Sequence, residues 1–160
     1  MDIKNINMGL SFYKGKRVFI TGHTGFKGSW LTYLLTELGA DVRGFSLEMD
    51  TDPNHFSLLN LKNKIDHVVG DITDLSSFEM ALKDYKPEIV FHLAAQAIVK
   101  YSFDDPVKTF NTNIMGSVNV LDSVKKCDSV KSLVFVTSDK CYENSEWVWG
   151  YRENDQLGGY

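Results

Sequence analysis

Gly22, Gly25 and Gly28 recur at a spacing of three, directly after the apolar run Arg17–Thr21 and directly before a stretch of helical period. A strand that turns through glycines into a helix gathers unpaired backbone N–H groups and the positive end of the helix dipole in one place. That is the chemistry of pyrophosphate binding. Gly22 permits the tight turn, Gly25 admits a phosphate where a Cβ would stand, and Gly28 lets the helix pack against the strand. Thr24, Phe26 and Lys27 share the loop and are assigned to the same dinucleotide site. Lys27 reads equally well as a neighbour of the phosphates and as a solvated first-turn lysine. A second group, Ser138, Asp139 and Lys140, follows the last apolar run of the chain, at residues 133–137. In open α/β sheets reacting groups collect at the carboxyl ends of strands, and this trio offers a hydroxyl, a carboxylate and an amine at such a place.

The elements that must position these groups alternate along the chain. Apolar, β-branched runs at Arg17–Thr21, Asp41–Ser46, 65–69, 89–93 and 133–137 read as strands. Leu31, Leu34, Leu35 and Leu38 mark a helix that Gly39 closes. Phe78, Leu82 and Tyr85 mark another, stopped at Pro87, and Val107, Phe110, Ile114, Val118 and Leu121 mark a longer one with Pro106 in its first turn. Strands alternating with helices predict parallel pairing through right-handed crossovers, hence an α/β, Rossmann-type doubly wound sheet. Residues 1–14 read as a lead-in, residues 15–160 as the nucleotide-binding domain, and the aromatic, glycine-containing stretch after Tyr142 as loop.

Composition narrows the partners. Lys plus Arg is 17 against 21 Asp plus Glu, with no basic run, which argues against nucleic acid. No apolar stretch approaches the ~20 residues of a membrane span, and the N-terminus lacks an apolar signal core. Cys127 and Cys141 fit no metal spacing and read as reduced thiols of a cytoplasmic protein, with no metal expected.

Three further places belong to the cofactor reading. The acid that bonds the adenosine ribose is expected about 18 residues past the third glycine; that place falls on Ser46, with Glu48 and Asp50 slightly late. A serine bonds a hydroxyl without repelling a 2′-phosphate, so the residues alone leave NAD and NADP open. Leu93, Ala94 and Ala95 follow the fourth strand and are small enough, at the alanines, for a ribose to lie against backbone. His92 reads as a core histidine, and Arg43 has no evident role.

The G-x-x-G-x-x-G spacing resembles that of the extended short-chain dehydrogenase/reductase family. Asp139-Lys140, the segment ENSEWVWGYRENDQLGGY (143–160) and GHTGFKGSW (22–30) resemble the nucleotide-sugar 4,6-dehydratases of that family, most of all those acting on CDP-glucose. The resemblance runs over almost all of residues 15–160. It implies NAD as cofactor, Asp71 and Ile72 as the adenine contacts, and Asn113 as a residue steadying the cofactor end of the fourth strand. It implies that Ser138 bonds the sugar hydroxyl being oxidised and that Asp139 is the general acid for loss of water. Lys140 stands where the commoner pattern has Glu, and reads either as the C5 base or as the ion-pair partner of Asp139. The implied partners are a nucleotide-sugar substrate, CDP-glucose, and, for the full-length protein, a second copy in a homodimer. A 4-epimerase, a GDP-mannose-type dehydratase and a non-catalytic nucleotide-binding module are the competing readings.

The family's Tyr-x-x-x-Lys pair is not found after the fifth strand: Tyr142 is followed four residues later by Glu146, and Tyr151 by Asp155. The expectation is therefore a sheet that stops before its later strands and before the substrate-binding part, inactive by itself.

Overall fold

The computed structural model describes residues 10–49 and 51–158. Five parallel strands form one sheet in the order β3-β2-β1-β4-β5: β1 Arg17–Thr21, β2 Asp41–Ser46, β3 Asp66–Val69, β4 Ile89–His92 and β5 Ser132–Phe135. Alternation along β1 assigns its side chains to two layers. Phe19 points to one face, where Phe45, Ile72, Phe78, Leu82, Val90 and Val120 close around it. Val18 and Ile20 point to the other, with Leu35, Val42, Ile89 and Phe91. Both faces of the central strands are buried, as in a doubly wound parallel sheet. The strand order reverses between β1 and β4, which opens a crevice at their carboxyl ends.

The helices begin and end where their capping chemistry dictates. Helix α1, Phe26–Glu37, buries Gly28, Ser29, Thr32 and Leu35. Its inner face is thus mostly small and polar; of the leucine stripe only Leu35 is fully buried, and this small face is what allows α1 to lie close over β1. Gly39 follows its end at φ +80°. The short helix α2, His55–Leu58, is capped by Asn54, which accepts the Ser57 N–H at 2.8 Å, and Phe56 is fully buried. Helix α3, Leu75–Tyr85, starts at Asp74, whose side chain accepts the Ser77 N–H at 3.1 Å. Lys86 ends it in the left-handed region (φ 53°), and Pro87 prevents continuation. Helix α4 is Val99–Asp104. Asp105 then caps α5, Pro106–Phe110, which runs through a π-helical turn, Asn111–Gly116, into α6, Ser117–Lys125.

Arg43 acquires a role here. From β2 it bonds Asp66 on β3, and Asp84 and the Ala81 carbonyl on α3, while its guanidinium lies 4.7 Å from the Tyr85 ring centroid. It clamps α3 onto the sheet edge.

Three expectations change in detail. Residues 10–13 are a short 3-10 helix rather than a loose lead-in, and Tyr13 packs against the core. The stripe Val107, Phe110, Ile114, Val118 and Leu121 does mark a helix, but each of these side chains is 47–79 % exposed, so the stripe faces outward. The stretch after Tyr142 is a loop, yet a closed one: Tyr142 bridges Leu157, Glu143 N–H donates to Gln156 O and Gly158 N–H to Cys141 O. Tyr142 and Tyr151 stack inside it with ring centroids 5.3 Å apart and planes 3° from parallel, while Trp149 is 75 % exposed. No helix among the described residues is long and apolar enough to cross a membrane.

Candidate functional site

A cleft of about 570 Å³ opens at the strand-order reversal. Its walls come from four loops: Gly22, Thr24, Gly25, Phe26, Lys27 and Gly28 after β1; Ser46, Leu47 and Glu48 after β2; Gly70, Asp71 and Ile72 after β3; Leu93, Ala94, Ala95 and Ala97 after β4. Thr112, Val136 and Thr137 complete it.

The glycine loop fits a pyrophosphate for a geometric reason. At Gly22 (φ +73°) a Cβ would stand 2.7 Å from Ala94 N, and at Gly28 a Cβ would stand 2.0 Å from Gly22 O. Those two positions are forced by the protein's own packing. At Gly25 a Cβ would meet nothing nearer than Gly22 O at 3.4 Å. The space above Gly25 is therefore left open on the cleft side and beside the N-terminus of α1. No side chain caps that terminus, and its first N–H groups lack intrahelical acceptors.

The loop after β4 is held by a hydroxyl. Thr21 Oγ1 accepts the N–H groups of Leu93 and Ala94 at 3.1 and 3.2 Å and lies 2.7 Å from His92 Nδ1. With two N–H groups accepted, the hydroxyl proton goes to Nδ1. His92 then carries its own proton on Nε2, which donates to Ser117 Oγ at 3.4 Å, and Ser117 donates to Asn113 O at 2.6 Å. His92 is thus a structural histidine, 2 % exposed and neutral. Asn113 lies behind the cleft wall rather than in it. Its Oδ1 accepts the Gln96 N–H at 2.7 Å and its Nδ2 donates to Gln96 O at 3.0 Å, fixing the far end of the same loop.

A second buried histidine sits in the glycine loop itself. His23 Nε2 lies 2.7 Å from His67 Nδ1 on β3, and Phe56 packs edge-on at 5.2 Å. Gly44 in β2 makes room for the ring, since a Cβ there would stand 2.2 Å from His23 Cγ. Nothing in the residue spacing revealed this pair; a glycine inside a strand was its one trace.

Burial pushes His23 down to about 3, with the neighbouring His67 contributing, and His92 down to about 4. Both regain ordinary values near 6.5 on unfolding. Their contribution to stability is full above pH 6.5 and is lost as pH falls toward the folded values. Between pH 7 and pH 5 each is expected to cost about 2 kcal/mol. Glu79 and Glu88, held low by Lys83 and Lys16, lose their contributions only at lower pH. Denaturant titrations at the two pH values check this; a midpoint that does not move would contradict the buried neutral state of both rings.

Ser46, expected at the ribose, is 8 % exposed, and its Oγ lies 2.6 Å from Thr24 Oγ1. Glu48 lines the cleft two residues further on, whereas Asp50 lies outside the described residues. Asp71 lines the cleft while its Oδ1 accepts the Thr73 N–H at 2.9 Å. Beyond β5, the cleft wall is Val136 and Thr137. Ser138 follows as the cap of a 3-10 turn, Asp139–Cys141, its Oγ accepting the Lys140 N–H at 3.1 Å, with Ser138 and Lys140 both exposed. Thr137 was not singled out by the sequence, yet with Val136 it forms the wall at this segment.

A model of the GDP-mannose 4,6-dehydratase family matches residues 19–157. The chain belongs to this family. Among curated dehydratases, the CDP-glucose 4,6-dehydratase of Salmonella typhimurium is 51 % identical over 150 residues, covering 94 % of this chain and 42 % of that protein. Among solved structures, the UDP-glucose 4-epimerase of Thermotoga maritima, determined with UDP-glucose, superposes with a TM-score of 0.76 at 28 % identity, covering 90 % of this chain and 45 % of that one. The UDP-glucose 4-epimerase of Thermus thermophilus, determined with NAD, gives 0.76 at 28 % identity, covering 89 % and 44 %. The chain therefore spans less than half the length of these relatives. The dehydratase family's fold is the doubly wound one that the strand-helix alternation predicts.

Proposed function

We propose that the protein is a nucleotide-sugar 4,6-dehydratase that converts CDP-glucose to CDP-4-keto-6-deoxyglucose, with NAD held in the cleft. The likeness to the Salmonella CDP-glucose enzyme over 94 % of the chain carries this reading. The open space above Gly25 supports the cofactor. Gly22, Thr24, Gly25, Phe26, Lys27 and Gly28 would hold the pyrophosphate, Asp71 and Ile72 the adenine, the loop at Ser46 the adenosine ribose, and Leu93, Ala94 and Ala95 the second ribose. Asn113 positions that last loop through Gln96. NAD, when bound, supplies the oxidation at C4 of the sugar and the matching reduction at C6.

Three of the chain's own residues take part in the proton transfers. Ser138 bonds the C4 hydroxyl, and the base that takes that hydroxyl's proton is not among the three. Lys140, on the same turn as Asp139, serves either as the base that, once desolvated to its neutral amine, takes the C5 proton after C4 becomes a ketone, or as the ion-pair partner of Asp139. Asp139 protonates the departing C6 oxygen, which leaves as water. The sugar loses one water and is otherwise redox-balanced. Conversion of CDP-glucose by the complete gene product tests the reading: a 4-keto-6-deoxy sugar supports it, and a 4-epimer as product would replace it with the epimerase reading.

The homodimer belongs to the same proposal. Val107, Phe110, Ile114, Val118 and Leu121 form an exposed apolar stripe along residues 106–125, and a contiguous apolar face of this kind is the signature of an interaction surface. A second copy presenting the same stripe would cover it by two-fold symmetry. Light scattering of the complete gene product is expected to give a dimer that Ile114→Glu converts to a monomer with unchanged circular dichroism; a wild-type monomer would overturn this assignment.

A further inference from the structure

We propose that Tyr151 is a positioning residue for the turn that bears Asp139 and Lys140, acting through its stack on Tyr142. The inference rests on the proposed dehydration and adds to it the device that holds the proton-transfer groups in place. That turn, Asp139–Cys141, lies beyond the end of β5 and takes no support from the core: among the described residues, none after Leu133 belongs to either buried cluster. Its near end is tied to the sheet, because Val136 N–H donates to His92 O at 3.0 Å. Its far end is fixed by the loop that leaves it. Gly158 N–H donates to Cys141 O at 3.1 Å and Glu143 N–H to Gln156 O at 3.0 Å, so residues 141–158 return to the place where they start. The closure is tight: a Cβ on Gly158 would stand 2.9 Å from Glu143 Cβ.

Tyr142 is the first residue after the turn, and its ring stacks on that of Tyr151, 5.3 Å away and 3° from parallel. Tyr151 is itself held from several sides. Its hydroxyl accepts the Ser145 N–H at 3.0 Å and donates to Asn144 Oδ1 at 3.3 Å, and the same Oδ1 accepts the Glu146 N–H at 3.1 Å. Trp147 packs on its ring with centroids 5.9 Å apart. Arg152, the next residue, donates its N–H to the Asp155 carboxylate at 2.6 Å. Aromatic stacking constrains both distance and tilt, so a Tyr151 ring held in this way fixes Tyr142, and with it the end of the turn. Ser138 is nearest β5 and Lys140 nearest Tyr142. Loosening the stack therefore displaces the groups that serve loss of water more than the group that bonds the C4 hydroxyl.

The test compares Tyr151→Ala with Tyr151→Phe in the complete gene product. Tyr151→Phe keeps the stack and is expected to turn over nearly as the wild type does. Tyr151→Ala removes the stack and is expected to slow loss of water by ~10–10²-fold, the scale set by misplacing a reacting group by about 1 Å. NADH should then accumulate in a single turnover, because oxidation at C4 is slowed less. NAD⁺ affinity and circular dichroism should match the wild type in both variants, since Tyr151 belongs neither to the cleft wall nor to the buried clusters. Wild-type rates without NADH accumulation in Tyr151→Ala overturn the assignment, as does a Tyr151→Phe protein as slow as Tyr151→Ala. Loss of NAD⁺ binding in Tyr151→Ala also overturns it, by giving the residue a role in the fold instead. Each of these leaves the dehydratase reading standing; a wild type that makes no 4-keto-6-deoxy sugar removes that reading, and this inference with it.

Discussion

Gly25→Val is expected to leave the fold intact and abolish NAD binding, whereas Gly28→Ala is expected to damage the fold itself. The two glycines lie one helical turn apart and look equivalent as sequence. Gly25 has φ −69° and ψ 169°, an extended geometry open to valine, and its missing side chain faces free space. A valine there fills the place assigned to a phosphate, and a loss of about a hundredfold or more in affinity follows. Gly28 has no such room: the 2.0 Å approach to Gly22 O is a contact with backbone, which no rotamer change relieves. Separating α1 from β1 enough to admit one methyl should cost about 3 kcal/mol or more. Thermal melting and NAD⁺ titration of both variants separate the effects. Undiminished binding by a folded Gly25→Val protein would move the phosphates out of this loop.

In the complete gene product, Asp139→Asn should stop the reaction half-way. The amide keeps the size of the carboxyl but has no proton to give the C6 oxygen. Oxidation at C4 should persist and loss of water should slow by ~10²–10⁴-fold, the usual worth of a general acid. Single-turnover measurements of NADH absorbance would then show reduced cofactor accumulating, where the wild type shows little. Normal turnover without accumulation would remove Asp139 from the mechanism. Lys140→Glu, which restores the commoner residue at that place, is the companion variant.

What the sequence made legible was local. Gly39, Pro87 and Pro106 end or begin helices by chemistry contained within a few residues, and the strand-glycine-helix order carries its own geometric meaning. The pairing of His23 with His67 was not legible, because it joins residues 44 positions apart and depends on β2 and β3 lying side by side. Periodicity found the stripe from Val107 to Leu121 but assigned it no partner; an apolar face says that something covers it, and only the packed fold shows that the sheet does not. Counting from the glycines gave Ser46, which lines the cleft. The count could not show that Thr24 would occupy the Ser46 hydroxyl and leave Glu48 on the cleft wall. The resemblance pointed to Ser138, whereas Thr137, one residue nearer the end of β5, lines the cleft, and that follows from where β5 stops.

The most direct test of the proposed chemistry is to supply the complete gene product with CDP-glucose deuterated at C4 and to locate the label in the product. Internal transfer through one bound NAD predicts a 4-keto-6-deoxy product with deuterium at C6 and solvent hydrogen at C5. Deuterium lost to solvent, or retained at C4 of an epimerised sugar, would contradict the assignment of this cleft to 4,6-dehydration.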